Sequence, residues 1–158
     1  MGPKAGAGGE GPRRSAKDAA LRILAARDHS RTELKRKLAS RGFPAAEVER
    51  VLDELLREGL LDDEKYVAVL TRQALERGRG LAYARAQLAA RGIRVKTLPA
   101  TLDDEVASLK SWLERRSVAP SALTDKAKRA KMLRFLAGRG YSSAAVARVF
   151  GWTVTEES

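Results

Sequence analysis

Two pairs of adjacent carboxylates, Asp62-Asp63 and Asp103-Asp104, are the residue types whose spacing could hold a catalytic metal. In two-metal nucleases such carboxylates clamp cations against a phosphoryl centre. Both pairs, however, sit in a repeated Leu-Asp-Asp-Glu string, at 61–64 and 102–105, where an apolar helical periodicity begins. A carboxylate there can satisfy the unpaired N–H groups of a helix start with no metal. His29 is the sole histidine and cysteine is absent, so neither a triad nor a nitrogen–sulfur ligand set can be completed. It directly precedes Ser30 and reads as a turn residue. Gly78-Arg79-Gly80 could cradle a phosphate, but the Lys-Ser/Thr of a nucleotide loop is missing and no strand leads into it. A turn is the better reading. No catalytic residue, metal or cofactor is expected.

Cations offer a different chemistry. The net charge is +11, and its placement is uneven. Residues 65–96 carry eight Lys or Arg against one acid, Glu76, and residues 126–148 carry seven and no acid. Residues 17–60, with ten basic and eight acidic side chains, are nearly balanced. A surface built only for solubility mixes its signs. Concentrated positive stretches point to a polyanion, most simply a nucleic acid.

The elements that would present these charges are helical. Ala, Leu and Arg dominate, aromatics are few, and β-branched residues never form alternating runs. Ser15 with Asp18 resembles a cap ahead of Ala20, Leu21 and Leu24. Ser30 with Glu33 forms a capping box ahead of Leu34 and Leu38, and Pro44 suits the first turn of a third helix. Val48, Val51, Leu52, Leu55 and Leu56 then give that helix one apolar face. The pattern restarts at Asp62-Asp63 with Tyr66, Val67, Leu70 and Ala74, followed by a short helix from about Leu81 to Leu88. A helix begun near Thr97, with Pro99 in its first turn, is expected to hold Leu98 and Leu102. A third restart carries Val106, Leu109 and Leu113, then the looser SVAPSALT segment. A basic helix from about Asp125 to Gly138 buries Met132, Leu133 and Leu136, and a last helix capped by Ser142 turns Val146, Val149 and Phe150 inward.

One hexamer ties these units together: LASRGF at 38–43, LAARGI at 88–93 and LAGRGY at 136–141. Leucine belongs to a core, arginine meets the negative helix end, and glycine takes the left-handed turn. Six residues after each glycine stand Val48, Leu98 and Val146, and ten after it Leu52, Leu102 and Phe150. A period near fifty residues signals stacked helical units. The expected fold is therefore all-α, a tandem, elongated and curved array of three three-helix units at 15–60, 61–102 and 103–152. Gly-rich residues 1–14 and residues 153–158 are expected to be tails. The basic N-terminus lacks a following apolar stretch, so no secretory signal is expected, and no apolar run approaches the ~20 residues of a membrane span.

Three stretches carry a resemblance. RSAKDAALRILAARDHSRTELKRKLASRGF, LLDDEKYVAVLTRQALERGRGLAYARAQLAARGI and KRAKMLRFLAGRGYSSAAVARVF, in this order, resemble the bacterial RecX regulators over roughly residues 15–152. The resemblance implies an array of three three-helix units that binds the RecA recombinase filament on single-stranded DNA. It implies inhibition of strand exchange, ATPase and co-protease activities, hence control of recombination, repair and the SOS response by a monomeric cytoplasmic protein that is not an enzyme. Pro99 and SVAPSALT depart from the family pattern.

On that reading Arg72, Arg77, Arg79, Arg85, Arg91 and Arg94 in the second unit meet nucleic acid or an acidic protein groove. In the third unit Lys126, Lys128, Arg129, Lys131, Arg134 and Arg139 do so. Phe43, Tyr66, Phe135 and Phe150 are assigned to packing, whereas Tyr83 and Trp152 are candidates for base stacking. The alternative is a helix-turn-helix protein reading duplex DNA. Against it, the third helix of unit one carries Glu47, Glu49, Asp53, Glu54 and Glu58, which phosphates would repel.

Overall fold

Eight α-helices and one 3-10 turn, with no strand, make up residues 15–152, the portion described by the computed structural model. The tails expected at 1–14 and 153–158 lie outside the described residues. The helices are α1 Ala16–Ala26, α2 Arg31–Ser40, α3 Ala45–Arg57, α4 Asp63–Glu76, α5 Leu81–Ala90, α6 Leu102–Arg115, α7 Lys126–Gly138 and α8 Ser143–Phe150. The 3-10 turn, Pro120–Ala122, lies within SVAPSALT.

Their ends are set by side chains. Ser15 Oγ accepts from the Asp18 N–H, Ser30 and Glu33 form the full capping box, Asp125 accepts from Ala127 N–H, and Ser142 accepts from Ala145 N–H. The three hexamers close α2, α5 and α7 in one geometry. Gly42, Gly92 and Gly140 have φ of +88°, +78° and +92°. Phe43, Ile93 and Tyr141 N–H groups reach back to the carbonyls of Leu38, Leu88 and Leu136. The glycine N–H groups bond to Ala39, Ala89 and Ala137, which completes a Schellman motif three times. All three leucines are fully buried.

The chain divides into two compact units, one ending at Asp62 and the other beginning at Asp63. In the first, Ala16, Ala19, Ala20 and Ile23 of α1 pack with Leu34, Leu38, Val48, Val51, Leu52, Leu55 and Leu61. Leu21 and Leu56, expected on the inward faces, lie outward because the buried stripes pass one position to their side. The second unit holds the two remaining expected units, apart from residues 61 and 62, around two cores. Tyr66, Val67, Ala74, Ala84, Leu88, Ile93 and Leu98 form one, and Leu109, Trp112, Leu113, Leu136, Tyr141 and Val146 the other.

The helix expected from Thr97 does not form. Pro99 disfavours helical geometry at Leu98. Thr101 and Asp104 build a capping box that starts α6 only at Leu102. The few residues left before that cap run in bends, and Arg85 Nη1 supplies a hydrogen bond to the Val95 carbonyl (2.9 Å). Leu98 still reaches the core. Asp104 is thus occupied as a cap, and Asp103 pairs with Arg148.

His29 is in its turn but its ring is buried, 3% exposed. Lys37 Nζ donates to Nε2 (2.9 Å), which places the ring proton on Nδ1, facing the Arg27 carbonyl at 2.8 Å. Burial, together with the nearby Arg27 and Lys37 charges, pushes its pKa below the usual 6.5, while the Arg27 carbonyl and Glu33 oppose that shift. The neutral form is favoured in the folded state, so the contribution is intact above about pH 6.5. As pH falls through that value the unfolded chain takes up a proton that the fold resists, and stability drops. The unfolding midpoint of the first unit should therefore fall between pH 7 and 5 more steeply in the native chain than in His29→Gln. Equal slopes in urea titrations would refute the assignment.

Candidate nucleic-acid interface

The frame beneath the basic surface of the second unit is built around Glu105, which is 2% exposed. Its Oε1 accepts the Leu81 N–H (3.0 Å) and the Ser142 N–H (3.1 Å), and its Oε2 accepts the Ser142 hydroxyl (2.7 Å). One carboxylate of α6 thereby closes the N-terminal ends of α5 and α8, where its charge meets two positive helix poles. Beside it, Ser108 Oγ donates to the Leu75 carbonyl (2.6 Å), leaving the Tyr141 hydroxyl to donate to Ser108 (2.9 Å). Burial raises the Tyr141 pKa despite that hydrogen bond.

These contacts bring the Arg77–Gly80 turn against the Arg139–Gly140 turn. Gly80 N–H bonds to the Arg139 carbonyl (3.0 Å) and Ala82 N–H to the Gly140 carbonyl (3.1 Å). Arg139 Nε donates to the Gly78 carbonyl (2.9 Å), with its Nη2 near the Arg77 carbonyl (3.3 Å). The Gly-Arg-Gly segment is therefore a turn packed on a turn, its backbone taken up by protein.

Around this junction guanidinium groups alternate with rings. Arg79 lies over Tyr83 (4.9 Å), Arg116 and Arg139 each over Trp112 (5.1 Å), and Arg139 also over Phe135 (6.0 Å). Trp112 and Phe135 are themselves 5.6 Å apart and tilted. Burial and the adjacent Arg79 and Arg116 charges push the Arg139 guanidinium below its usual value. Arg116 lies outside both basic stretches noted above, and only the three-dimensional arrangement brings it here.

The twelve expected basic residues fall into two groups. Arg77, Arg94, Lys126, Lys128, Lys131 and Arg134 are exposed and have no side-chain partner among the described residues. The others are engaged. Arg72 pairs with Glu76, Arg85 holds the 95–96 backbone, Arg91 bonds to Gln87, and Arg129 bonds to the Leu123 carbonyl while covering Trp152. Arg79 lies on Tyr83, and Arg139 is half-buried, pinning the turn.

Aromatic placement departs from expectation at one position. Phe135, assigned to packing, is 48% exposed, while Trp112 is buried. Tyr83 is half-buried, and Trp152 stacks on Phe150 with centroids 4.2 Å apart. Tyr66 is in the core and Phe43 and Phe150 border theirs.

A groove of about 670 Å³ lies between α4 and α6. Its rim carries Lys65, Arg72 and Arg115 but also Glu76 and Asp104, so it lacks a single sign. In the first unit the acidic face of α3 is largely neutralised. Lys17 bridges Glu54 and Glu58, Lys35 and Arg31 bridge Glu49, and Glu47 accepts the Ala16 N–H. Among the described residues, the exposed cations without a side-chain partner at the sequence-expected positions all belong to the second unit.

Comparison with known proteins agrees with this architecture. Residues 16–55 match the family model for the RecX first three-helix domain, and residues 103–150 match that for the RecX third three-helix domain. The chain is 39% identical to "Regulatory protein RecX" of Leptothrix cholodnii, covering 87% of this chain and 88% of that one. It is 36% identical to the protein of the same name from Halorhodospira halophila, covering 89% and 86%. The crystal structure of RecX from Lactobacillus salivarius superposes with a TM-score of 0.70 at 19% identity, covering 86% of this chain and 92% of that one. That likeness concerns the fold.

Proposed function

The chain belongs to the RecX family of regulatory proteins, and on that premise we propose that it binds the RecA filament on single-stranded DNA and inhibits it. The inhibited activities are strand exchange, ATP hydrolysis and co-protease action, and the protein works as a cytoplasmic monomer that binds rather than catalyses. Among the described residues no helix is long and apolar enough to cross a membrane.

The observation that carries the reading is the basic surface of the second unit. The stretch 126–148 carries no acid and seven cations, of which Arg148 pairs with Asp103 of α6, and Lys126, Lys128, Lys131 and Arg134 have no side-chain partner among the described residues. A nucleoprotein filament presents the phosphates and acidic side chains that such a surface lacks. Binding by phosphate neutralisation is salt-sensitive, with a log–log slope near −0.7 per contacted phosphate on single strands.

Adding the protein to a RecA–single-strand ATPase assay tests this. Inhibition is the expected result, and half-inhibition well below one molecule per recombinase monomer would assign capping or blocked growth at a filament end. A requirement for equimolar protein would assign coating of the groove instead of end blocking. Undiminished hydrolysis at saturating protein would overturn the proposal.

A further inference from the structure

α7 carries a line of cations interrupted by one ring. At 3.6 residues per turn, Lys128, Lys131, Phe135 and Arg139 fall within about 80° of one another on the helix surface. They extend over ~16 Å at 1.5 Å per residue. Leu136, the buried residue of this helix, faces elsewhere, and Met132 and Leu133 pack with it. At the C-terminal end of the line Arg116 shares the Trp112 ring with Arg139, and Arg79, which lies on Tyr83, is near enough for its charge to act on Arg139.

Phe135 is the feature that packing leaves unexplained. A phenylalanine 5.6 Å from the buried Trp112 could have turned inward, yet about half its surface meets water. Single exposed apolar residues are ordinary. This one is set in a row of cations, and the ring-borne arginines beside it have no carboxylate partner among the described residues. An acidic protein groove would satisfy the cations but leave the ring without a match. A flexible nucleic-acid strand offers both phosphates and flat bases.

We infer that the α7 face from Lys128 to Arg139, completed by Arg79 and Arg116, is a direct binding site for single-stranded nucleic acid in which a base stacks on Phe135. The cations neutralise the phosphates on either side of that base. Arg139 itself is a positioning residue, because its Nε is committed to the Gly78 carbonyl. This deepens the filament reading and rests on it for the biological source of the strand.

The test uses the full chain, a short fluorescent oligothymidylate and an abasic strand of equal length, with binding followed by anisotropy. The native protein should bind the thymidylate roughly tenfold tighter than the abasic strand. Phe135→Leu keeps an apolar side chain against Trp112 but removes the π face. It should abolish that difference and leave abasic binding unchanged, while Phe135→Tyr restores the preference. Arg116→Gln should weaken both strands alike and reduce the salt slope by about 0.7. Equal affinity of the native protein for both strands would overturn the site, as would an unaltered preference in Phe135→Leu. If Phe135→Leu lost filament inhibition yet bound both strands normally, Phe135 would touch the recombinase, sinking the base site but not the filament reading. Strand binding with stacking but no filament inhibition would do the reverse.

Discussion

Substituting alanine for Gly80 should lower the stability of the second unit by about 3 kcal/mol or more, a severe effect for one added methyl. The backbone torsions give no reason for this, since Gly80 has φ −85° and ψ 176°, which any residue adopts. A Gly→Ala change in such a conformation ordinarily stabilises by limiting the unfolded chain. Here a Cβ would stand 2.1 Å from the Gly140 carbonyl oxygen and 2.4 Å from the Tyr141 nitrogen. Both obstacles are backbone, and the same strand of contacts includes the two hydrogen bonds that join the turns. Relief requires the α4–α5 and α7–α8 turns to separate, which also pulls Leu81 and Ser142 from Glu105. Gly42→Ala is the comparison. Its φ of +88° strains alanine, but nothing lies within 4 Å, so the loss should stay near 1–2 kcal/mol. Urea unfolding of the two variants gives the ordering. A Gly80→Ala protein as stable as the native one would mean that the turns are not in contact.

That pairing marks the limit of what local sequence can convey. The hexamer was readable because a Schellman turn is a local device: leucine, arginine and glycine each answer to neighbours within five residues. The caps at Ser15, Ser30 and Ser142 were readable for the same reason. Glu105 was not, because its partners stand 24 and 37 residues away and a buried carboxylate has the same letter as a solvated one. Thr101 was the local signal missed at the end of the second hexamer unit, where a capping box overrode the helix expected from Thr97. Phe135 was legible in principle. It sits about 100° from Leu136 around α7, too far to share its buried face. Among the cations, charge and run length located the surface, but they could not separate Lys128 and Lys131, which project unpaired, from Arg85 and Arg129, which hold backbone carbonyls.

The distinction between cations that hold backbone carbonyls and those that do not decides which charges to reverse. Changing Arg79, Lys128 and Lys131 together to glutamate should raise the concentration needed for half-inhibition of the filament at least about a hundredfold. Each lost contact removes roughly 1 kcal/mol of screened attraction, and each new carboxylate repels the same phosphate. Arg85 is left alone, since its guanidinium holds the Val95 carbonyl and its loss would blur binding with folding. The two α7 positions lie in the N-terminal half of the helix, where glutamate favours the macrodipole, so the helical circular dichroism should not fall. Net charge drops from +11 to +5. A control with Arg36, Arg50 and Arg57 reversed reaches the same +5 from exposed positions in the first unit. If position matters, the control inhibits nearly as the native protein does and only the first variant fails. Equal failure of both would reduce the effect to bulk charge, and equal activity of both would remove the second unit's cations from the mechanism. The salt dependence adds an independent reading: the first variant should lose about two units of log–log slope for its three phosphate contacts, and the control should lose little.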